Sequence, residues 1–192
     1  MEKMIILSSF GLDAPMIQKK YREHIHTCDR TILMIPFAAL NDSTVLYEKK
    51  ALMHFGFDEQ KIMICSCNNI DKIKNIEFDY IYVPGGDTYK LLFEIKKYDI
   101  LNYLQRLINK GATYIGVSAG AYICCEDIKY LEALEDNNYI NDDFSALGLL
   151  RENIVCHSDQ YGYETIAKCK IYAPERRFVY ITNTDVVLIN NE

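Results

Sequence analysis

Long apolar runs and a surplus of basic residues are both missing from this 192-residue sequence. No apolar run approaches the ~20 residues that a helix needs to span a bilayer. Lysine and arginine number 21 against 27 acidic residues, which gives a formal net charge of −6. Non-specific binding to nucleic acid or anionic membrane needs a basic face, which this net charge disfavours, so we expect neither as a partner.

Linkers, internal repeats and low-complexity segments are absent from the sequence too, which predicts a single domain over residues 1–192. The first eleven residues, MEKMIILSSFG, contain only a short apolar core followed by serines. Such a segment is typical of a buried strand rather than of a signal peptide.

Cysteine pairs with the two-residue gap of a zinc site are also lacking. Neither Cys65-Ser-Cys67 nor Cys124-Cys125 has that gap, and no histidine lies at ligand spacing from either pair. The seven cysteines are an odd number in a chain that is not small, so we do not expect a disulfide framework. We interpret them as reduced, mostly buried thiols of a cytoplasmic protein that needs no metal or other cofactor.

Short apolar runs alternate with amphipathic segments through the first two thirds of the chain. The runs lack strict alternation and are rich in Ile, Val and Tyr, which is typical of strands covered on both faces. They lie at residues 4–9, 31–36, 61–65, 80–86 and 113–118, and helical periodicity falls at residues 15–26, 43–55 and 101–109. The order β-α-β-α-β-β-α-β-α predicts an α/β fold with a doubly wound, mostly parallel sheet flanked by helices.

The end of the sequence follows a different pattern. Residues 164–172 have helical periodicity, and two further apolar runs lie at residues 178–182 and 186–190. Because these runs flank Asn183-Thr184-Asp185, we predict that they form a C-terminal strand pair, a closing hairpin.

One serine stands between small residues at a predicted strand–helix junction. Residues 116–120 read Gly-Val-Ser-Ala-Gly and match the G-x-S-x-G nucleophile elbow, in which a sharp turn exposes the serine hydroxyl. Small residues on either side let strand and helix approach closely. The pattern therefore predicts Ser118 as a nucleophile, with a serine in a tightly packed turn as the structural alternative.

A glycine turn follows the neighbouring predicted strand, in the run Val-Pro-Gly-Gly-Asp-Thr at residues 83–88. Carboxyl ends of parallel strands form the crevice where ligands bind in such sheets. Bare N–H groups of Gly86 and of Ala119 could there hold an oxyanion. We expect Gly85, Asp87 and Thr88 to line the substrate site.

Four histidines are candidates for the base that a serine hydrolase needs. His24, His26 and His54 fall on predicted amphipathic helices, where we expect them at the surface. His157 follows the strand-like run at residues 153–156, so it is expected on the same edge of the sheet as Ser118. The third, acidic member stays open, because the acidic segment 126–143 offers seven carboxylates and Asp159 and Glu164 follow the histidine.

These segments together resemble the peptidase E family of serine peptidases, which includes aspartyl dipeptidases and, more distantly, cyanophycinases. The matching pieces are ILSS, IPFA at residues 35–38, VPGGDTYKLL, YIGVSAGA, FSALGLL at residues 144–150, and His157; they cover nearly the whole chain in family order. The resemblance implies a class I glutamine amidotransferase-like, flavodoxin-like three-layer fold. It also implies short peptides as substrates, N-terminal aspartyl dipeptides among them. We expect the protein to be a monomer or homodimer.

Carried onto this sequence, the resemblance implies Ser118 as nucleophile, His157 as base, and Gly86 and Ala119 as oxyanion donors. The family's acidic residue lies roughly 15 to 17 residues after the serine, in a window that holds Ala133, Leu134 and Glu135 here. Counted from the serine without gaps, the position of the acidic residue in the aspartyl dipeptidases is occupied by alanine in this sequence. A shift of two residues, as in some relatives, places Glu135 there. We take Glu135 as the third member, ahead of Asp136 and Glu132.

Two features depart from the family pattern. Asp87 replaces the usual asparagine, and a fixed charge ~6 Å from an oxyanion would oppose it by about 2–3 kcal/mol. Asp87 therefore either turns away to cap the following helix or changes substrate binding. Aspartyl specificity needs a cation in the pocket, and none of Arg151, Arg176 and Arg177 lies in a family motif.

Three rival functions remain. A family member that has lost activity would act as a binding or regulatory module, which Asp87 and the uncertain acid favour. An amidotransferase glutaminase shares the fold but has cysteine at the elbow. An α/β-hydrolase esterase shares the elbow, but its domain is usually larger and the glycine-rich turn speaks against it.

Overall fold

Six strands form the central sheet of the protein. The computed structural model describes residues 3–140 and 142–191. The strands of this sheet are β1 (Lys3–Ser8), β2 (Ile32–Met34), β3 (Ile62–Ile64), β4 (Tyr80–Val83), β5 (Thr113–Val117) and β8 (Val186–Asn191). Their order is β3-β2-β4-β5-β1-β8, with β8 antiparallel to β1 and the other neighbours parallel. A separate sheet pairs β6 (Asn153–Cys156) with β7 (Phe178–Ile181) in parallel.

Helices cover both faces of the central sheet. They are α1 (Pro15–Tyr21), α2 (Asp42–Phe55), α3 (Ile70–Ile73), α4 (Thr88–Lys97), α5 (Leu101–Asn109), α6 (Ala119–Tyr122) and α7 (Tyr163–Tyr172). Side chains alternate across β1, so that Ile6 packs with α1 and α2 while Ile5 and Leu7 pack with α4 and α5. The two apolar layers confirm the predicted doubly wound, mostly parallel α/β fold.

The C-terminal strands are a correction to the prediction. Two strands do flank residues 182–185, but they do not form a hairpin, since β7 pairs with β6 and β8 pairs with β1. Each strand finds a partner that is remote in sequence, and the turn between them crosses from one sheet to the other. Asp185 closes this turn, because its carboxylate accepts hydrogen bonds from the N–H and hydroxyl of Thr182.

Two helices differ from those that the sequence periodicity predicted. The first helix ends at Tyr21 rather than at residue 26, and the chain then turns inward to bury Ile25. The short α3 between β3 and β4 was not predicted, because four residues are too few to show a helical period. In the described part of the chain, no helix has the length and apolar character that crossing a membrane requires.

Five of the seven cysteines are buried, which fits their interpretation as packing residues, while Cys28 and Cys67 are exposed.

Candidate active site

Ser118 forms the sharp turn between β5 and α6 that the G-x-S-x-G pattern predicts. Its backbone has φ 47° and ψ −105°, a conformation that L-residues rarely adopt. The flanking glycines are required by packing, since a Cβ on Gly120 would lie 2.1 Å from the carbonyl oxygen of Val83. A Cβ on Gly116 would lie 2.6 Å from the carbonyl oxygen of Gly120. Strand, turn and helix are therefore pressed together around one serine.

Backbone hydrogen bonds hold the serine in this turn. The Ser118 N–H donates to the carbonyl oxygen of Ser8 at 2.9 Å, which ties the turn to the end of β1. Its carbonyl oxygen accepts from the N–H groups of Ala121 and Tyr122 in α6. With both backbone groups occupied, the hydroxyl is the part of Ser118 that is left to face the crevice.

The glycine turn after β4 lies against the serine side chain. A Cβ on Gly85 would lie 3.3 Å from the Cβ of Ser118, so that a larger residue would crowd the hydroxyl. Gly86 has φ +137°, and a Cβ there would lie 2.1 Å from the carbonyl oxygen of Ala38. Within residues 3–140 and 142–191, neither the Gly86 N–H nor the Ala119 N–H donates to a protein acceptor. Two donors beside the serine are thus available to a ligand.

Asp87 and Thr88, which were predicted to line the substrate site, each form a hydrogen bond within the protein. Asp87 caps α4, because its carboxylate accepts from the Lys90 N–H at 2.8 Å. This confirms the first of the two alternatives for Asp87. Thr88 is fully buried, and its hydroxyl donates to the carboxylate of Glu135 at 3.1 Å.

His157 lies at the end of β6 with its ring against the serine. Its Nε2 is 3.3 Å from the Ser118 hydroxyl oxygen. The His157 backbone is left-handed, with φ 54°, and its N–H donates to the hydroxyl of Ser9 at 2.9 Å. The buried Ser9 hydroxyl in turn donates to the carbonyl oxygen of Ile181, and the Phe10 ring packs edge-on against the imidazole. The end of β1 therefore positions both Ser118 and His157.

The partner of the other imidazole nitrogen is Asn183, not a carboxylate. Its side-chain oxygen lies 2.6 Å from His157 Nδ1. The Asn183 N–H donates to the carboxylate of Asp159, two residues after the histidine. Because an amide oxygen accepts, Nδ1 carries the hydrogen and Nε2 is left to accept from the serine hydroxyl.

Glu135, which the family resemblance implied for this position, has a different partner. Its carboxylate accepts from Thr88 at the start of α4, and burial raises its pKa to about 7. The two acids ranked behind it, Asp136 and Glu132, are exposed side chains. The expectation of a glutamate beside the imidazole is corrected accordingly: a loop length counted from the serine did not identify the residue that reaches Nδ1.

The sequence did not predict the contacts that four residues make around His157. They are Ser9, Phe10, Asn183 and Asp159, of which Asp159 was considered only as a candidate triad acid and here accepts a hydrogen bond from the Asn183 N–H. Ser9 belongs to the ILSS segment that matches the family, which is the one signal that pointed to it. Asn183 was assigned only to a turn, and nothing in its spacing from His157 relates the two residues. Its place depends on β7 and β8 joining different sheets.

Chemically, the arrangement joins a hydroxyl, an imidazole in the tautomer that accepts a proton, and two bare amide groups. The imidazole can take the proton of the hydroxyl as the oxygen attacks a carbonyl carbon. Amide N–H groups in a preformed turn can stabilise the negative charge that develops on the carbonyl oxygen.

Comparisons with known proteins point to one family. The model of peptidase family S51 matches residues 4–192. The chain is 30% identical over 203 residues to uncharacterized peptidase PM1590 of Pasteurella multocida (strain Pm70), covering 100% of this chain and 95% of that protein. It is 36% identical over 84 residues to peptidase E of Shewanella amazonensis, covering 43% of this chain and 34% of that protein. A crystal structure of a Listeria monocytogenes EGD-e protein assigned to peptidase E superposes on this chain with a TM-score of 0.79 at 24% sequence identity. The match covers 100% of this chain and 96% of that one, which shows a shared fold.

Proposed function

Because the chain belongs to peptidase family S51, we propose that it is a serine peptidase that hydrolyses short peptides. Ser118 is the nucleophile and His157 the general base. The observation that carries the proposal is the 3.3 Å approach of His157 Nε2 to the Ser118 hydroxyl, in a strained turn beside two free N–H groups.

The reaction has two halves. As the Ser118 oxygen bonds to the scissile carbonyl carbon, its proton passes to His157 Nε2 and the carbonyl oxygen takes the negative charge, held by the N–H groups of Gly86 and Ala119. The protonated imidazole then gives its proton to the leaving nitrogen as the C–N bond breaks. In the second half a water molecule gives a proton to His157 as its oxygen attacks the ester carbon. The imidazolium then returns a proton to the Ser118 oxygen as the ester bond breaks and the carboxylic acid is released.

Asn183 acts in this scheme as a positioning residue. Its amide oxygen keeps the hydrogen on Nδ1, so that Nε2 presents a lone pair to the hydroxyl in the resting state. A neutral amide fixes the tautomer and the orientation of the ring but contributes less than a carboxylate to stabilising the imidazolium. We therefore assign a Ser-His-Asn arrangement rather than a Ser-His-Glu one.

The substrates we propose are dipeptides and other short peptides. The aspartyl preference of the family gains no support from Arg176, because its guanidinium is paired with Glu126. The proposed chemistry needs no metal or cofactor, and we propose that the enzyme works in the cytoplasm as a monomer or homodimer without nucleic-acid or membrane partners.

A panel of dipeptides, including aspartyl dipeptides, incubated with the wild-type protein and with Ser118→Ala tests the proposal. We expect the wild type to release amino acids from at least some dipeptides and Ser118→Ala to lose that activity by more than about 1,000-fold while keeping its fold. Hydrolysis that survives in Ser118→Ala would rule out this nucleophile.

A second candidate function is a binding module that has lost catalysis, and the neutral Asn183 at Nδ1 is the observation that favours it. It predicts a folded protein that binds peptides from the panel and cleaves none. Binding without turnover, measured by calorimetry for the same peptides, would select it over the peptidase.

A further inference from the structure

One exposed aromatic ring touches the reacting imidazole and has no part in the proposed chemistry. The ring of Phe10 packs edge-on against the ring of His157 with 5.4 Å between their centres, and Phe10 is 44% exposed. An exposed apolar side chain on its own needs no explanation, because every soluble protein has many. Across residues 3–140 and 142–191, however, Phe10 is the exposed aromatic residue whose ring lies against His157.

The backbone holds Phe10 at the point where the two reacting residues meet. The carbonyl oxygen of Ser8, two residues earlier, accepts from the Ser118 N–H. The hydroxyl of Ser9, one residue earlier, accepts from the His157 N–H. The carbonyl oxygen of Phe10 itself accepts from the hydroxyl of the fully buried Ser8 at 2.7 Å. Three successive residues are thus fixed at the site, and the ring is in position before any substrate arrives.

The proposed chemistry decides which part of a peptide lies beside this ring. Protonated His157 gives its proton to the leaving nitrogen, so that nitrogen must come within hydrogen-bond reach of Nε2, ~3 Å. The carbonyl oxygen of the substrate lies elsewhere, at the N–H groups of Gly86 and Ala119. The residue that leaves is therefore on the imidazole side of the site, where Phe10 is, and its side chain branches one atom beyond the nitrogen.

The exposed part of the Phe10 ring is apolar surface that a substrate side chain can cover. Covering such surface is favourable roughly in proportion to the area removed from water. The polar groups around the ring are already bonded within the protein, the Ser9 hydroxyl to the carbonyl oxygen of Ile181 and the Asn183 side-chain oxygen to His157. The contact that Phe10 adds to the site is therefore apolar.

We propose that Phe10 binds the side chain of the residue immediately after the scissile bond and makes the enzyme prefer an apolar residue there. This inference rests on the proposed peptidase function and names a specificity-determining residue for it. Peptides whose leaving residue is as large as leucine cover the ring. Peptides whose leaving residue is alanine leave most of the ring in water.

Four dipeptides test the inference, with alanine or aspartate as the first residue and alanine or leucine as the second. We expect the wild type to have a kcat/KM about tenfold higher for leucine than for alanine as the leaving residue, since each buried methylene is worth about fourfold. Phe10→Ala should reduce this leaving-residue ratio to about 2 or less. The ratio between aspartate and alanine as the first residue should stay as in the wild type. Phe10→Leu keeps an apolar side chain and should have an intermediate leaving-residue ratio.

The control variant is Phe93→Ala, the same change at a phenylalanine of α4 that is 40% exposed and contacts Tyr139, and it should leave both ratios unchanged. A Phe10 that only orients the imidazole would lower kcat for all four dipeptides alike and keep the leaving-residue ratio constant, which would overturn the inference. A wild type without a preference for leucine would overturn it too, as would a Phe10→Ala variant that changes the first-residue ratio instead. Hydrolysis of none of the four dipeptides by the folded wild type would overturn the peptidase itself, and the inference with it.

Discussion

At the scale of single residues, the backbone of Ser118 carries a cost that only its chemistry justifies. A side chain at φ 47° and ψ −105° is strained by roughly 1–3 kcal/mol, and glycine would relieve that strain. We predict that Ser118→Gly is more stable than Ser118→Ala by about 1 kcal/mol, although both variants are inactive. Urea unfolding of the two variants measures the difference, and equal stabilities would contradict a strained elbow.

Glu135 should also cost stability, with a definite dependence on pH. Burial raises its pKa from 4.5 in the unfolded chain to about 7, so folding favours the neutral acid. The contribution of Glu135 to the free energy of unfolding is therefore most favourable at low pH, and this stability is lost as the pH rises through about 5 to 7. We predict that Glu135→Gln raises the free energy of unfolding at pH 8 by on the order of 1–3 kcal/mol, and by much less at pH 5.

The check is urea unfolding of wild type and Glu135→Gln at both pH values, with Glu132→Gln as the exposed control. A Gln variant that is less stable than the wild type at pH 8 would contradict the prediction that the ionised Glu135 carboxylate opposes folding.

Asn183 should matter for turnover more than for binding. Removing its amide oxygen frees the imidazole to rotate and to change tautomer, so Asn183→Ala is expected to lower kcat by about 10- to 100-fold with little change in KM. Asn183→Asp restores an acceptor at Nδ1 and should recover most of the lost kcat. Steady-state kinetics on one good dipeptide decides this, and a kcat for Asn183→Ala equal to the wild type would remove Asn183 from the mechanism.

At the scale of elements, the glycine turn after β4 limits what can stand beside the nucleophile. Alanine at position 85 would bring a methyl group 3.3 Å from the Ser118 Cβ, and the hydroxyl would have to shift by a few tenths of an ångström. We predict that Gly85→Ala lowers kcat/KM by about 10- to 100-fold because the nucleophile is displaced from its attacking position. Gly162→Ala is the matched control, since a Cβ there meets nothing within 4 Å. Equal activities of the two variants would contradict the prediction.

Elements set by local pattern were predictable from the sequence, and elements set by remote partners were not. The elbow at Ser118 and the glycine turn at Gly85 and Gly86 depend on residues a few positions apart, and both lie where the pattern predicts. The destination of β8 depends on β1, some 180 residues away, so two neighbouring strands were mistaken for a hairpin. Asn183 lies in the turn between them and was missed for the same reason.

At the scale of the whole molecule, four segments that are far apart in sequence meet at the candidate site. The end of β1 supplies Ser8 and Ser9, β4 leads to the glycine turn, β5 leads to Ser118, and β6 leads to His157. Parallel strands bring their carboxyl ends to one edge, which is why an edge with Ser118 and Gly86 could be expected from strand order alone. The end of β1 therefore holds the two reacting residues together, through the Ser8 carbonyl oxygen on the Ser118 side and the Ser9 hydroxyl on the His157 side.

Covalent labelling by a fluorophosphonate, mapped by peptide mass spectrometry, is the most direct measurement of that claim. A serine activated by an oriented imidazole reacts with such a probe, whereas an ordinary surface serine does not. We predict a single adduct on Ser118, absent from Ser118→Ala and formed at least 100-fold more slowly in His157→Gln. A folded protein that gains no adduct, or gains one on another residue, would contradict the assignment of Ser118 and His157 as the reacting pair.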